Sequence, residues 1–255
     1  MNLVSGFADI SLAQLLLVTG VALFASVIGG LAGYGTGALM PLFLVPMIGA
    51  EPVVPIIAIS AIFTNLSRVT AYRRYADGRR ALIVILASAL TTALGAYGYT
   101  RLTSAGAAVV IGTMLIASVP LRRLASRRKV RIGDAGLGFG AAGYGIVVGG
   151  TSGSGVILLS LLMAAGLEGA AVIATDAAIS VATSLIKISV FGLAGVLTAQ
   201  VLAFAFLIGA IALPGAFLAR SFVERMPLHI HTAILDAAVI AGGVIMISAA
   251  ARQIL

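Results

Sequence analysis

Gly33-Tyr34-Gly35-Thr36-Gly37-Ala38-Leu39-Met40 is matched about 118 residues later by Thr151-Ser152-Gly153-Ser154-Gly155-Val156-Ile157-Leu158. Each stretch lies between apolar runs. Each leads into a short apolar segment that stops at a Gly-x-Glu step, Gly49-Ala50-Glu51 or Gly166-Leu167-Glu168. A long apolar segment carrying a cation comes next, with Thr64-Asn65-Leu66-Ser67-Arg68 in one copy and Thr183-Ser184-Leu185-Ile186-Lys187 in the other. Glycine-rich interruptions at corresponding places in two hydrophobic halves point to a transport site. Close helix packing alone would account for the glycines. It does not account for hydroxyls and a cation recurring beside them.

The composition sets the class. Apolar residues make up 61% of the 255 and charged residues 9%, and the mean hydropathy is +1.17. A soluble domain could not cover its surface with so few charges. Uncharged stretches such as 81–99 and 196–219 are long enough to cross roughly 30 Å of hydrocarbon. The fold class expected is therefore an all-α polytopic membrane protein. The N-terminus lacks the basic region and cleavage site of a signal peptide, so the first apolar segment is expected to be retained. With no cysteine, disulfides and thiolate chemistry are excluded. Trp is also absent, which leaves Tyr72, Tyr75, Tyr97 and Tyr99 as interfacial aromatics.

A net charge of +8 could suggest nucleic acid, but its placement does not. Ten of the sixteen basic residues fall in two short stretches, 73–80 and 122–131. Basic clusters beside hydrophobic spans mark cytoplasmic loops and attract anionic lipid. The expected partners are thus membrane lipid and a small anion, with no nucleic acid; the composition also admits a homo-oligomer. The localisation expected is the cell inner membrane, multi-pass.

Glycine, proline and charge breaks divide the chain into five apolar segments per half: about 11–32, 37–49, 52–71, 80–100 and 103–121, then 133–149, 155–166, 168–191, 196–219 and 228–251. The domains expected are a first repeat over 1–121, a basic cytoplasmic linker over 122–132 and a second repeat over 133–255. Segments 37–49 and 155–166 are only roughly 18–20 Å long as helices, which makes them short or broken helices following glycine loops. The loop after the third segment is arginine-rich in the first half and uncharged in the second, whereas Arg220 and Arg225 follow the fourth segment of the second half. That reversal predicts two inverted-topology repeats with the basic linker inside and both termini outside.

Asp176, Ser180, Thr183 or Ser184, and Lys187 recur at the spacing of one helix face, and Ser60, Thr64, and Ser67 or Arg68 repeat the pattern. Polar stripes inside a membrane face protein or water. The candidate substrate-binding residues are Gly33, Gly35, Thr36, Gly37, Thr64, Asn65, Arg68, Gly153, Ser154, Gly155, Thr183, Ser184 and Lys187. Glycine allows an oxyanion close to the backbone N–H groups that open a helix, hydroxyls donate hydrogen bonds, and the cations balance charge. Arg68 has the alternative of snorkelling to the interface near Arg73. Asp176 either neutralises a cation or takes a proton, which makes it the candidate for coupling. His229 and His231 have no second ligand cluster, so no metal and no cofactor is expected. No nucleophile–base set occurs, and the chain is read as a non-enzyme.

Gly29 to Pro41, Phe63-Thr64-Asn65-Leu66-Ser67 and Tyr72-Arg73-Arg74-Tyr75 resemble the sulfite exporter TauE/SafE family. The resemblance extends over nearly the whole chain as two repeats, each with a glycine loop, an apolar half-helix and a Thr/Ser-rich helix. It implies secondary transport of sulfite, sulfoacetate or a related organosulfonate. The second loop, Gly149 to Gly155, carries more hydroxyls than the common glycine run, and Leu159 stands where Pro41 does in the first. A passive anion channel and a non-transport membrane scaffold are the alternative readings.

Overall fold

The computed structural model describes residues 3–8, 10–32, 35–127, 131–214 and 228–254. Among these residues ten α-helices occur: α1 (Leu12–Ala32), α2 (Gly35–Ile48), α3 (Val53–Tyr72), α4 (Gly78–Tyr99), α5 (Ser104–Arg127), α6 (Asp134–Gly150), α7 (Gly155–Ala164), α8 (Ala170–Leu193), α9 (Ala199–Ala212) and α10 (Leu228–Ile254). A helix is found within each of the ten expected segments, but that expected over 196–219 covers Ala199–Ala212, and 215–219 lie outside the described residues. The longest extension is α5, which continues into the basic stretch as far as Arg127.

Local signals set the boundaries. Ser11 and Gln14 form a reciprocal capping box before α1, with each side chain bonded to the other's backbone N–H. Asp77 caps α4 by accepting from the Arg80 N–H at 2.9 Å, and Thr198 caps α9. Both short helices end at a glycine of positive φ, Gly49 (81°) and Gly166 (90°). At the second of these, the Leu167 N–H reaches back to the Leu162 carbonyl, the bond pattern that closes a helix around a left-handed residue.

Among the described residues four helices are long and apolar enough to cross a membrane, spanning Val53–Tyr75, Gly78–Tyr99, Ser104–Leu124 and Ala170–Leu193. The shorter apolar helices include Thr36–Ile48, Gly155–Ala164 and Ala199–Ala212. On α4, Leu82, Leu86, Leu90 and Leu94 are exposed along one face, as expected of a side turned to lipid. This is a membrane protein.

The ten-residue α7 rises only about 15 Å and cannot span the hydrocarbon. The Ile132 N–H, just before α6, donates to the carbonyl of Ala164, the last residue of α7, at 2.9 Å. Helices α6 and α7 therefore form a hairpin that returns to the level where it began.

The sequence halves are interleaved. Helix α3 packs on α8 and α9, α4 on α6 and α8, α5 on α10, and α1 on α2 and α9. The α4–α6 contact is made backbone to backbone: a Cβ on Gly149 would run into the Thr92 carbonyl, and one on Gly95 into that of Ile146. At the α5–α10 crossing, a Cβ on Gly112 would lie 2.9 Å from the Gly243 carbonyl oxygen. Small residues at crossings are how membrane helices gain dispersion contacts when lipid gives no hydrophobic incentive. Two buried apolar clusters flank the interior, one including Met40, Leu44, Ile56 and Phe204, the other Leu137, Leu158, Leu162 and Ile179.

Candidate functional site

The two glycine loops meet. Ser152 donates its hydroxyl to the Gly37 carbonyl at 2.5 Å, and a Cβ on Gly37 would lie 3.4 Å from the Gly153 backbone nitrogen. Gly153 has φ +81°, a conformation that L side chains rarely adopt, so the second loop turns here. Around this junction lies a cavity of about 110 Å³. Pockets for drug-sized ligands run to about 300–1,000 Å³, so this one suits a small ion.

The cavity gathers most of the predicted residues. Thr36 and Gly37 line it from α2, Thr64, Asn65 and Arg68 from α3, Gly153, Ser154 and Gly155 from the second loop, and Thr183, Ser184 and Lys187 from α8. Gly35 opens α2, and Gly33 lies outside the described residues. Asp176 does not line the cavity; it stands behind Arg68. Ser67 turns away and donates to the Leu213 carbonyl at 3.2 Å.

Arg68 does not snorkel. It is 5% exposed, Asp176 is 1% exposed and Lys187 is 5% exposed. Arg68 Nη2 meets Asp176 Oδ2 at 2.8 Å and the Ile173 carbonyl at 3.4 Å, while Nη1 donates to Asn65 Oδ1 at 2.9 Å. Arginine offers only donors, so this bond fixes the Asn65 carbonyl toward Arg68 and leaves its amide NH₂ as a donor pair. Asp176 thus pairs with Arg68 rather than Lys187. Its Oδ1, and Arg68 Nε, have no hydrogen-bond partner among the described residues.

Lys187 reaches the Val148 carbonyl of α6 at 3.2 Å. An ammonium has three donors, so two remain. Thr64 and Thr183, at matching places in the two halves, each donate to the carbonyl three residues back, at 3.1 Å and 3.2 Å. These are long for O–H···O bonds, and turning either hydroxyl to a stronger acceptor gives up little. Of the first N–H groups of α7, that of Ile157 donates to the Ser154 carbonyl at 2.9 Å, and the Ser154 side chain makes no capping bond to any of them.

No carboxylate is among the described lining residues, while two cations, several hydroxyls and backbone donors are. The chemistry on offer is the holding of a small oxyanion. A family model described as sulfite exporter TauE/SafE matches residues 18–246. The chain belongs to the sulfite exporter TauE/SafE family. No curated protein and no solved structure matches it. Membership makes this a chain of a membrane-transport family rather than an enzyme family, and the match runs from α1 into α10, through both glycine loops and both cation-bearing helices.

The cavity also holds residues outside the predicted set. Thr151 and Ser152 belong to the quoted repeat and Ser180 to the α8 stripe, so their signals were present. Ser26 and Tyr144 also line the cavity. Tyr144, a buried tyrosine flanked by glycines on α6, had only one cue, its isolation in an otherwise small-residue segment.

Proposed function

We propose that this TauE/SafE-family chain is a secondary transporter that moves a small sulfur-containing anion, such as sulfite, sulfoacetate or a related organosulfonate, across the cell inner membrane by alternating access. One observation carries the reading: two glycine loops from different halves close on a cavity lined, among the described residues, by Arg68, Lys187 and hydroxyls but by no acid. The loop residues and the helix N-termini bind the anion, Lys187 and Arg68 balance its charge, and Thr64, Asn65, Thr183 and Ser184 orient it.

The repeat arrangement proposed is inverted, with 1–121 and 133–255 as the two halves and 122–132 as the cytoplasmic linker. The loop charges support it. So does the packing: exchanging α1–α5 with α6–α10 turns the α3–α9 contact into α8–α4 and α4–α6 into α9–α1, and it leaves α3–α8 and α5–α10 unchanged. A re-entrant hairpin followed by three crossings in each half gives the odd number that inversion needs.

The interleaving bears on which parts move. One sequence half cannot rock rigidly against the other without opening the glycine contacts between α4 and α6. The moving bodies proposed are mixed, the α6–α7 hairpin travelling with α4 and the α1–α2 hairpin with α9. Asp176 is the candidate for proton coupling: ionised, it holds Arg68, and taking up a proton releases Arg68 to face the anion beside Lys187.

The test is a binding and flux panel on the purified chain in liposomes, with sulfite, sulfate, sulfoacetate, taurine and a carboxylate analogue. Accumulation of a sulfur anion against its gradient, abolished by an uncoupler, is expected. Preference for the carboxylate over every sulfur anion sinks the substrate class, and flux that only ever runs downhill makes the protein a channel.

A further inference from the structure

The two cations occupy corresponding places, yet their surroundings differ in one respect. Arg68 and Lys187 are 119 positions apart. The same step back from Asp176, the acid that pairs with Arg68 at 2.8 Å, arrives at Ile57, an apolar residue on the cavity wall. Lys187 accordingly has a backbone carbonyl as its partner and, among the described residues, no carboxylate. Pairing cancels one cation and leaves one.

We infer that Asp176 is a specificity-determining residue: by cancelling Arg68 it leaves Lys187 as the single uncompensated charge among the described lining residues, and the cavity selects anions of one charge over anions of two. The class selected is the sulfonates and the singly charged hydrogen sulfite form, ahead of sulfate and the sulfite dianion. The inference rests on the transport-site reading above. A monoanion beside Lys187 brings the buried site to neutrality. A dianion leaves one buried negative charge without a partner, which low-dielectric surroundings penalise heavily. Hydroxyls and N–H groups soften that penalty but discriminate far less by charge. Protonated Asp176 would restore the second cation, so Asp176→Asn mimics that state and isolates the effect of charge from coupling.

The experiment uses the full chain, purified in detergent, and two probes of similar size that stay fully ionised near neutral pH: methanesulfonate, with one charge, and sulfate, with two. Affinities are measured by titration calorimetry at constant ionic strength. The wild type is expected to bind methanesulfonate at least about tenfold tighter than sulfate, since one unpaired buried charge costs several kcal/mol before screening. Asp176→Asn, with two uncompensated cations, is expected to erase or reverse that preference. Arg68→Gln, with none, is expected to weaken methanesulfonate. The double variant Arg68→Gln/Asp176→Asn returns the charge to one and is expected to recover the wild-type ratio. Any pair of these proteins that folds and differs in total charge decides the matter, because the ratio must follow that charge. Equal wild-type affinity for the two anions overturns the inference, and so does a ratio that ignores the charge series. If the wild type binds neither methanesulfonate nor any anion of the panel, the transport-site reading itself falls and takes this inference with it.

Discussion

Ser152 donates its hydroxyl to the backbone carbonyl of Gly37, 115 positions away, across 2.5 Å. This bond joins the turn of the α6–α7 hairpin to the first turn of α2, at the place where both loops face Lys187 and Thr64 across one cavity. The two halves of the site are therefore held in register by a contact between them.

Removing that contact is the first prediction. Ser152→Ala leaves the Gly37 carbonyl without its donor, and a typical hydrogen bond contributes about 0.5–1.5 kcal/mol. The thermal midpoint in detergent is expected to fall by a few degrees, and sulfite affinity to fall further, because the loops lose their mutual position. A variant with wild-type affinity would show that the bond does not set the site.

The α4–α6 seam gives an internally controlled prediction. A methyl on Gly149 has nowhere to go except into the Thr92 carbonyl, and one on Gly145 meets the Ser88 carbonyl at 2.7 Å. Gly143 lies on the same helix with open space around its Cβ direction. Gly149→Ala and Gly145→Ala are expected to cost about 1–3 kcal/mol through overpacking. Gly143→Ala is expected to be neutral or stabilising, since alanine is the better helix former. Equal midpoints for all three would mean that the helices do not meet here.

How much of this was legible in the sequence follows from which forces act locally. The ends of the two short segments were readable because Gly49 and Gly166 set them through their own backbone chemistry, whereas the sequence breaks put the starts of α4 and α9 at 80 and 196, and the caps Asp77 and Thr198 set them at Gly78 and Ala199. The polar stripe of α8 was readable because Ser180, Thr183, Ser184 and Lys187 repeat at helical spacing. The partner of Asp176 was not. Along one helix Lys187 lies roughly 16 Å from Asp176, too far for a direct pair, so the sequence named no partner, whereas the ion pair runs to Arg68 on a helix of the other half. Ser67 shows the same limit: its spacing puts it beside the stripe, but the packing of α9 against α3 draws it to Leu213. Contacts between helices depend on which faces meet, and no single segment records that.

Acid stability tests the loop that precedes α4. The Arg80 N–H bonds Asp77 and holds its carboxyl below the ordinary range, with the Arg80 guanidinium adding to the effect. A carboxyl lowered on folding stabilises the protein fully above its unfolded value of about 3.9 and loses that contribution as pH falls through the lower folded value. Asp77→Asn retains an acceptor for the cap but has no charge to titrate. Between about pH 5 and 2.5, a window set by the unfolded carboxylate value, the wild type is expected to lose more of its thermal midpoint than Asp77→Asn does. Parallel curves would remove Asp77 from the acid limb.

The two cations should respond to truncation in opposite ways. Lys187→Met removes a charge whose partner is the Val148 carbonyl, so the loss is one hydrogen bond, about 1 kcal/mol, and the chain remains folded. Anion binding is expected to disappear, because the charge left on the cavity wall, Arg68, is already committed to Asp176. Arg68→Met strands Asp176 in the interior at 1% exposure. Breaking a buried pair from one side costs about 3–5 kcal/mol, less whatever protonation of the carboxyl recovers. Measured side by side, Lys187→Met is expected to keep its midpoint and lose its ligand, while Arg68→Met loses stability first. The reverse order would make Arg68 the cation that holds the anion and Lys187 a structural tether between α8 and α6.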